Sequence, residues 1–114
     1  MNDTSTSSTP VVTAEQARWF RFCRSGLATR FVTPEAVASA LFGVQAQILP
    51  AAALALWNRA PDLDEARFNE LLYTERTLVK LWGQRGTLHL YASADWPLLH
   101  GARSINRTWW ERQV

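Results

Sequence analysis

Two glutamines, Gln45 and Gln47, are the first candidates in this sequence for residues that take part in chemistry. Ala46 separates them, and Val44 and Ile48 flank the pair. Unpaired amides are costly to bury, so in this apolar neighbourhood we expect a polar group to meet them. An amide has no useful basicity near neutral pH, and any catalytic action would come from orienting a reactant. The alternative is that both amides cap the ends of the helices that they separate.

A second polar set lies downstream, where polar and apolar residues alternate. Thr87, His89 and Tyr91 fall on one face of a predicted strand, with Leu88 and Leu90 on the other. This polar face could line a binding channel or an active site. The alternative for His89 is a structural role, in which its ring bonds the backbone of the preceding helix.

An arginine occupies the tip of the hairpin that precedes this strand. Arg85 lies between two glycines, Gly83 and Gly86, with Gln84 beside it. An arginine at the tip of a wing can contact phosphate groups or the minor groove of DNA. The alternative is a solvated turn residue. Lys80 is the only lysine, and this preference for arginine suits phosphate contact, although a compositional bias of the genome would produce the same preference.

Several classes of site are missing from the sequence. It has no metal-ligand spacing, no glycine-rich phosphate loop and no Ser-His-Asp set, so we expect neither a metal nor a cofactor. The net charge of +2 permits a DNA partner but does not indicate one. Cys23 is the only cysteine, the start of the chain does not have the pattern of a targeting signal, and the apolar stretch from Ile48 to Trp57 is too short to span a bilayer. These features predict a soluble cytoplasmic protein.

The first helix that must position these residues is predicted by a capping box. Thr13 and Gln16 have the required spacing, and the helix should end near Gly26. Its outer side carries Arg18 and Arg21, which could bind DNA or form an ordinary solvated face. The apolar residues at helical spacing are expected to face the core; they are Trp19, Phe20, Phe22, Cys23 and Leu27.

Further helices follow from capping and proline signals. Thr33 and Pro34 begin a second helix that should end near Gly43, which places the two glutamines in the connection to a third helix, 50–58. Asp62 or Asp64 should cap a fourth helix, which ends near Thr74. The later helical segments are expected at 95–100 and 102–112.

Two strands complete the pattern. Residues 77–82 and 87–91 are rich in β-branched and aromatic residues, and the segment 83–86 joins them as a hairpin turn. Helices followed by such a wing predict a mainly α fold with a β-hairpin, which is a winged-helix α+β domain of the helix-turn-helix type. We expect a disordered tail at 1–12, this domain at 13–102, and at 103–114 the start of a truncated helix that carries Trp109 and Trp110.

Three segments carry a resemblance to a known family: Gly43-Val44-Gln45-Ala46-Gln47, the run Ala-Leu-Ala-Leu-Trp-Asn-Arg, and Trp82-Gly83-Gln84-Arg85-Gly86-Thr87-Leu88-His89-Leu90. With them, residues 13–110 resemble the winged-helix DNA glycosylases of the AlkZ and YcaQ type. The resemblance implies that Gln45 and Gln47 are catalytic, that double-stranded DNA is the partner, and that no cofactor is used. The Gln-x-Gln form resembles the branch that excises bulky alkylpurines and unhooks interstrand crosslinks. Members of the family are longer, so the chain resembles an N-terminal portion only.

Two other functions are compatible with the sequence. One is a non-enzymatic winged-helix module that binds duplex DNA through the basic first helix and Arg85. The other is an inactive, truncated remnant whose exposed apolar C-terminal helix leads to aggregation or to pairing with another chain.

Overall fold

The computed structural model describes residues 8–105, which form helices around a small antiparallel sheet. The helices are α1 (Ala14–Arg24), α2 (Pro34–Ala40), α3 (Leu49–Trp57), α4 (Glu65–Asn69) and α5 (Trp96–Ile105). The strands are β1 (Val44–Gln45), β2 (Leu78–Trp82) and β3 (Leu88–Ala92). A π-helical turn, Glu70–Thr74, extends α4, and short 3-10 turns occupy Gln84–Gly86 and Ser93–Asp95.

Side-chain caps define the starts of three helices, as the sequence predicted. The Thr13 hydroxyl accepts a hydrogen bond from the Gln16 N–H at 3.1 Å, and the Gln16 side chain accepts one from the Thr13 N–H, which completes the capping box of α1. Thr33 caps α2 and Asp64 caps α4 in the same way. These contacts are local in sequence, so their signals could be recognised without knowledge of the fold.

The sheet has three strands where two were predicted. β3 lies in the centre and pairs antiparallel with β2 on one side and with β1 on the other. The wing between β2 and β3 closes through Arg85 and Gly86, which both adopt positive φ angles, of 54° and 68°. The fold class is confirmed: the described chain is mainly helical with a small antiparallel sheet and a hairpin wing, a winged-helix-like α+β arrangement.

The core lies where α2, α3 and α4 cover one face of the sheet. Leu56, Leu71, Leu78 and Leu90 are fully buried there, together with Val37 of α2. Burial of each leucine stabilises the folded chain by about 1.5–3 kcal/mol relative to an exposed position. Leu90 is central because it belongs to β3, on which both outer strands depend.

The prediction that the apolar side of α1 faces the core was wrong. No residue of α1 is buried, and Trp19 and Phe20 are 64% and 65% exposed. The helix joins the domain at its C-terminal end, where the Arg59 guanidinium donates to the Ser25 carbonyl at 2.8 Å. The pattern correctly indicated an amphipathic helix, but periodicity does not identify what its apolar side packs against.

The two predicted C-terminal helical segments form one helix within the described residues. α5 runs through Gly101 without a break, because an interior glycine costs a helix only about 1 kcal/mol. Trp109 and Trp110, on which the prediction of a truncated helix depended, lie outside the described residues. Of the predicted tail, residues 8–12 have no regular secondary structure and the earlier ones are likewise outside. The domain boundaries stay predictions.

No helix in residues 8–105 is both long enough and apolar enough to cross a membrane.

Candidate functional site

The two glutamines lie at the exposed edge of the sheet, in and just after β1. Gln45 and Gln47 are exposed, whereas Ala46 between them is fully buried. β1 ends at Gln45, and Gln47 lies in the bend that leads into α3, so the two exposed amides flank the buried Ala46 at the end of the strand. The expected apolar neighbourhood is present only in part, since Val44 is buried but Ile48 is 68% exposed.

β1 exists because β3 supplies its hydrogen-bonding partners. Val44 pairs with Leu90 and Gln45 with His89, and the Ala46 N–H donates to the Leu88 carbonyl at 2.8 Å. The alternation of apolar and polar residues from 44 to 47 is typical of a strand, and we did not predict a strand there because the segment is so short. The backbone that carries the glutamines is therefore held by tertiary pairing.

The alternative that the glutamines cap helices is contradicted by the geometry. α2 ends at the C-cap Leu41, and the N-cap of α3 is Ile48, whose side chain makes no capping hydrogen bond. The Gln47 Oε1 atom instead accepts a hydrogen bond from the Leu88 N–H at 3.4 Å. This contact fixes one end of the pair to the central strand and leaves the Gln45 amide facing outward.

His89 is the cross-strand neighbour of Gln45, so the structure brings these two predicted site residues together on one face of the sheet. His89 is 6% exposed, and its Nδ1 lies 3.1 Å from the Thr87 carbonyl oxygen. The Thr87 hydroxyl lies 3.3 Å from the same Nδ1 atom, so the carbonyl and the hydroxyl of Thr87 are both within hydrogen-bonding distance of this nitrogen. The alternative of a bond to the preceding helix is replaced by these contacts with Thr87, the residue directly before β3.

Thr87 and Tyr91 share the face of β3 on which His89 lies, but they are not equally accessible. Thr87 is partly exposed and its hydroxyl donates to the Gln84 carbonyl at 3.0 Å. Tyr91 is only 1% exposed. The expectation that Tyr91 lines a channel is therefore contradicted in the described chain, because its ring packs inside the domain.

Arg85 is exposed at the tip of the wing, as predicted. The wing tip lies next to the glutamine segment, because the Gln84 side-chain amide donates to the carbonyl of Phe42, three residues before Gln45. Arg18 and Arg21 are exposed on α1, and within residues 8–105 no hydrogen bond joins either of them to the sheet. The structure thus joins the wing tip that carries Arg85 to the turn before the glutamine segment, through Gln84.

A separate surface, at α4 and the turn that follows it, is acidic. Asp64 and Glu65 begin α4, and Arg67 forms ion pairs with Glu75 at 2.6 Å and with Glu70 at 2.7 Å. Hydrogen bonds from Glu75 and then Glu70 raise the pKa of Arg67 above its ordinary value. Because its charge is matched by two carboxylates, this side offers little to a phosphate backbone.

Sequence reasoning missed the role of Gln84 and of the glycines around Tyr91. A Cβ atom at Gly43 would lie 2.7 Å from the Tyr91 ring, and one at Gly83 would overlap the Tyr91 hydroxyl. Glycines directly before the glutamines and at the wing were visible in the sequence, but nothing local indicated that one side chain fills the space at both. Within the described part of the chain, no group of three His, Cys, Asp or Glu residues is placed to hold a metal ion.

Comparison with known proteins identifies a family that this chain matches. Residues 38–113 match the family described as DNA glycosylase AlkZ-like. Among solved structures, the DNA glycosylase AlkZ of Streptomyces sahachiroi is similar over 75% of this chain, with 30% sequence identity and a TM-score of 0.66. The chain spans 23% of the length of that protein. No curated protein matches the chain.

Proposed function

The chain belongs to the AlkZ-like DNA glycosylase family, and we propose on this premise that Gln45 and Gln47 form the catalytic pair of a monofunctional glycosylase that excises alkylated purines. The observation that carries the proposal is the exposure of both amides at the edge of the sheet, on a segment joined to the wing by the hydrogen bond from Gln84 to Phe42. Exposed, unbranched amides held by strand pairing are suited to meet a ligand. Membership of the family supports a role in DNA repair.

The chemistry requires orientation more than basicity. A purine alkylated at N7 is positively charged and leaves its deoxyribose readily, so the enzyme has to place a water molecule and stabilise the developing positive charge on the sugar. The carbonyl oxygens of the two amides can do both. The water oxygen bonds to C1′ of the sugar as the C1′–N9 bond breaks, the base leaves as a neutral alkylpurine with the bonding electrons, and the proton lost by the water passes to solvent. A carboxylate at position 47 would stabilise the charge more strongly, which restricts the present pair to activated substrates.

The roles of the two glutamines follow from their contacts. Gln47, whose Oε1 accepts from the Leu88 N–H, is held at a defined position relative to β3. Gln45 lies next to His89, its cross-strand partner on the same face of the sheet. We assign the placing of water to Gln45 with His89, and the stabilisation of charge to Gln47, with Thr87 bordering the site.

Double-stranded DNA is the proposed partner, and it approaches from the wing side. Arg85 is placed there to contact phosphate or the minor groove, while the ion-paired α4 side repels the backbone. Arg18 and Arg21 on α1 extend the basic surface. A bulky base or a crosslinked base is hard to extrude, so the site would act on it with limited distortion of the duplex. A cytoplasmic location is part of this proposal, because its substrate is DNA and Cys23 is free.

The chain supplies the glutamine pair but only part of a DNA channel. It spans 23% of the solved glycosylase that it resembles, and we assign it to the N-terminal portion of such an enzyme. Activity of the isolated chain should consequently be low. The test must therefore detect slow release, with enzyme in excess over substrate.

The experiment measures release of N7-methylguanine from methylated duplex DNA by the purified chain. Release should exceed spontaneous depurination, and Gln45→Ala or Gln47→Ala should lower the enzymatic part by about 100-fold, as loss of a positioned dipole does. Both side chains are exposed, so the melting temperature should stay unchanged. Unaltered release in both variants, or loss of release through unfolding, would contradict the proposal.

A non-enzymatic DNA-binding module is the second candidate, favoured by the exposed arginines of α1. It predicts duplex binding with a steep salt dependence, sensitivity to Arg18→Ala, Arg21→Ala and Arg85→Ala, and no base release. An inactive remnant predicts neither binding nor release. Its exposed apolar residues on α1 would instead give large particles in light scattering.

A further inference from the structure

Tyr91 occupies a slot formed by two glycines that are distant in sequence. A Cβ at Gly43 would lie 2.7 Å from the ring, and one at Gly83 would overlap the hydroxyl. Gly43 belongs to the turn that leads into β1, and Gly83 begins the tip of the wing. One buried side chain therefore contacts both the segment before the glutamines and the hairpin that faces DNA in the proposed function.

Polar contacts join the same two segments across Tyr91. The Gln84 N–H donates to the Tyr91 hydroxyl at 3.2 Å, and the Gln84 side-chain amide donates to the Phe42 carbonyl. The Phe42 ring lies edge-on to Tyr91 at 5.8 Å between centroids. Displacement of the hydroxyl would release Gln84, and through it the turn at Phe42 and Gly43.

The glutamine segment depends on this support because β1 is so short. A strand of two residues has few backbone hydrogen bonds to define its position. At its C-terminal end, Gln47 is fixed to Leu88. At its N-terminal end, the fixed point is Gly43, whose φ of 105° and contact with Tyr91 leave it one arrangement.

We propose that Tyr91 is a positioning residue for the glutamine pair, acting through Gly43, and that Gln84 completes the same clamp. Tyr91 touches neither the proposed substrate nor the reacting atoms. The claim that Tyr91 affects catalysis rests on the proposed function, whereas the claim that Tyr91 positions the glutamine segment does not. A clamp of this kind also links the wing to the glutamines, so that contact of the wing with DNA affects the segment that carries them.

Hydrogen exchange tests the positioning directly, without reference to activity. The Ala46 N–H donates to the Leu88 carbonyl at 2.8 Å, between the glutamines, and the Ala60 N–H donates to the Leu56 carbonyl at 2.8 Å, just after the end of α3. In Tyr91→Phe, which keeps the ring, exchange of Ala46 should accelerate about fivefold, the factor that corresponds to one ordinary hydrogen bond, while Ala60 is unchanged. Gln84→Ala should have the same selective effect.

The matched control is Gly101→Ala, because a Cβ at Gly101 meets nothing within 4 Å. It should leave both exchange rates unchanged. Equal acceleration of Ala46 and Ala60 in Tyr91→Phe would show a general loss of stability and overturn the proposal. Unchanged exchange at Ala46 in both Tyr91→Phe and Gln84→Ala would overturn it as well.

Base release then connects the clamp to catalysis. In Tyr91→Phe and Gln84→Ala the single-turnover rate should fall several-fold. In Tyr91→Phe the Kd for DNA should be unchanged, since Tyr91 is buried and cannot contact DNA. Gln45→Ala reports separately on the proposed function. If Gln45→Ala has no effect but Ala46 exchange responds selectively, the glycosylase assignment fails and the positioning role stands. If Gln45→Ala abolishes release while Tyr91→Phe changes neither rate nor exchange, the positioning role fails alone.

Discussion

Two regions carry the most distinctive sequence patterns: β1, at the edge of the sheet, and helix α1. Tertiary contacts hold β1 in place, whereas α1 is formed by local signals. β1 has two residues, no local signal of a helix or turn, and a backbone fixed by β3. α1 has eleven residues, a complete capping box, and no buried side chain. Local signals therefore determined α1, whereas the position of β1 depends on the whole domain. Five substitutions, taken in three steps, should separate these two kinds of dependence.

The largest effect is expected where β1 depends on the core. Leu90 is fully buried and pairs with Val44, so Leu90→Ala leaves a cavity beneath both outer strands. It should lower the free energy of unfolding by about 2–5 kcal/mol, measured by urea denaturation. A loss under 1 kcal/mol would mean that β3 does not hold the sheet together.

A smaller effect is expected at the turn that leads into β1. Gly43 has a φ of 105°, and a Cβ there would lie 2.7 Å from the Tyr91 ring, so Gly43→Ala should lower the free energy of unfolding by about 1–3 kcal/mol. Gly101→Ala in α5 is the matched control and should stabilise the chain slightly, because alanine favours a helix. Equal effects of both substitutions would remove the distinction between the two glycines.

The smallest effect on global stability is expected at α1, and the equivalent cap of α2 provides the comparison. Thr33→Ala removes the cap of α2, a helix with buried Val37, and should lower the free energy of unfolding by about 1 kcal/mol. Thr13→Ala removes the equivalent cap of α1 and should reduce only the helical signal in circular dichroism, with the denaturation midpoint unchanged. A shift of the midpoint in Thr13→Ala would show that α1 is coupled to the core.

The difference between local contacts and contacts that are distant in sequence explains which features of the fold could be predicted. The caps at Thr13, Thr33 and Asp64, the wing and the fold class depend on neighbours in sequence, and they were predicted correctly. β1 and the burial of Tyr91 depend on contacts over more than forty residues along the chain, between the glutamine segment and β3, and they were missed. Polar residues also misled the prediction at Tyr91, because a hydroxyl can be satisfied by one backbone N–H inside the domain.

The positions of some candidate site residues could be predicted from local sequence, whereas the positions of others depend on strand pairing. The hairpin pattern predicted Arg85 at the exposed tip of the wing. The bond from Gln84 to Phe42 and the pairing of His89 with Gln45 depend on a register that no local pattern specifies. The catalytic assignment of Gln45 and Gln47 stays a prediction.

The central claim is that the amides at the sheet edge do the chemistry, and one comparison tests it most directly. Gln45→Ala is compared with Gln16→Ala, which removes an exposed glutamine from α1, in the release of N7-methylguanine with the chain in excess over methylated duplex. The account predicts release at the spontaneous rate in Gln45→Ala and at the wild-type rate in Gln16→Ala. Release at the wild-type rate in Gln45→Ala would contradict it.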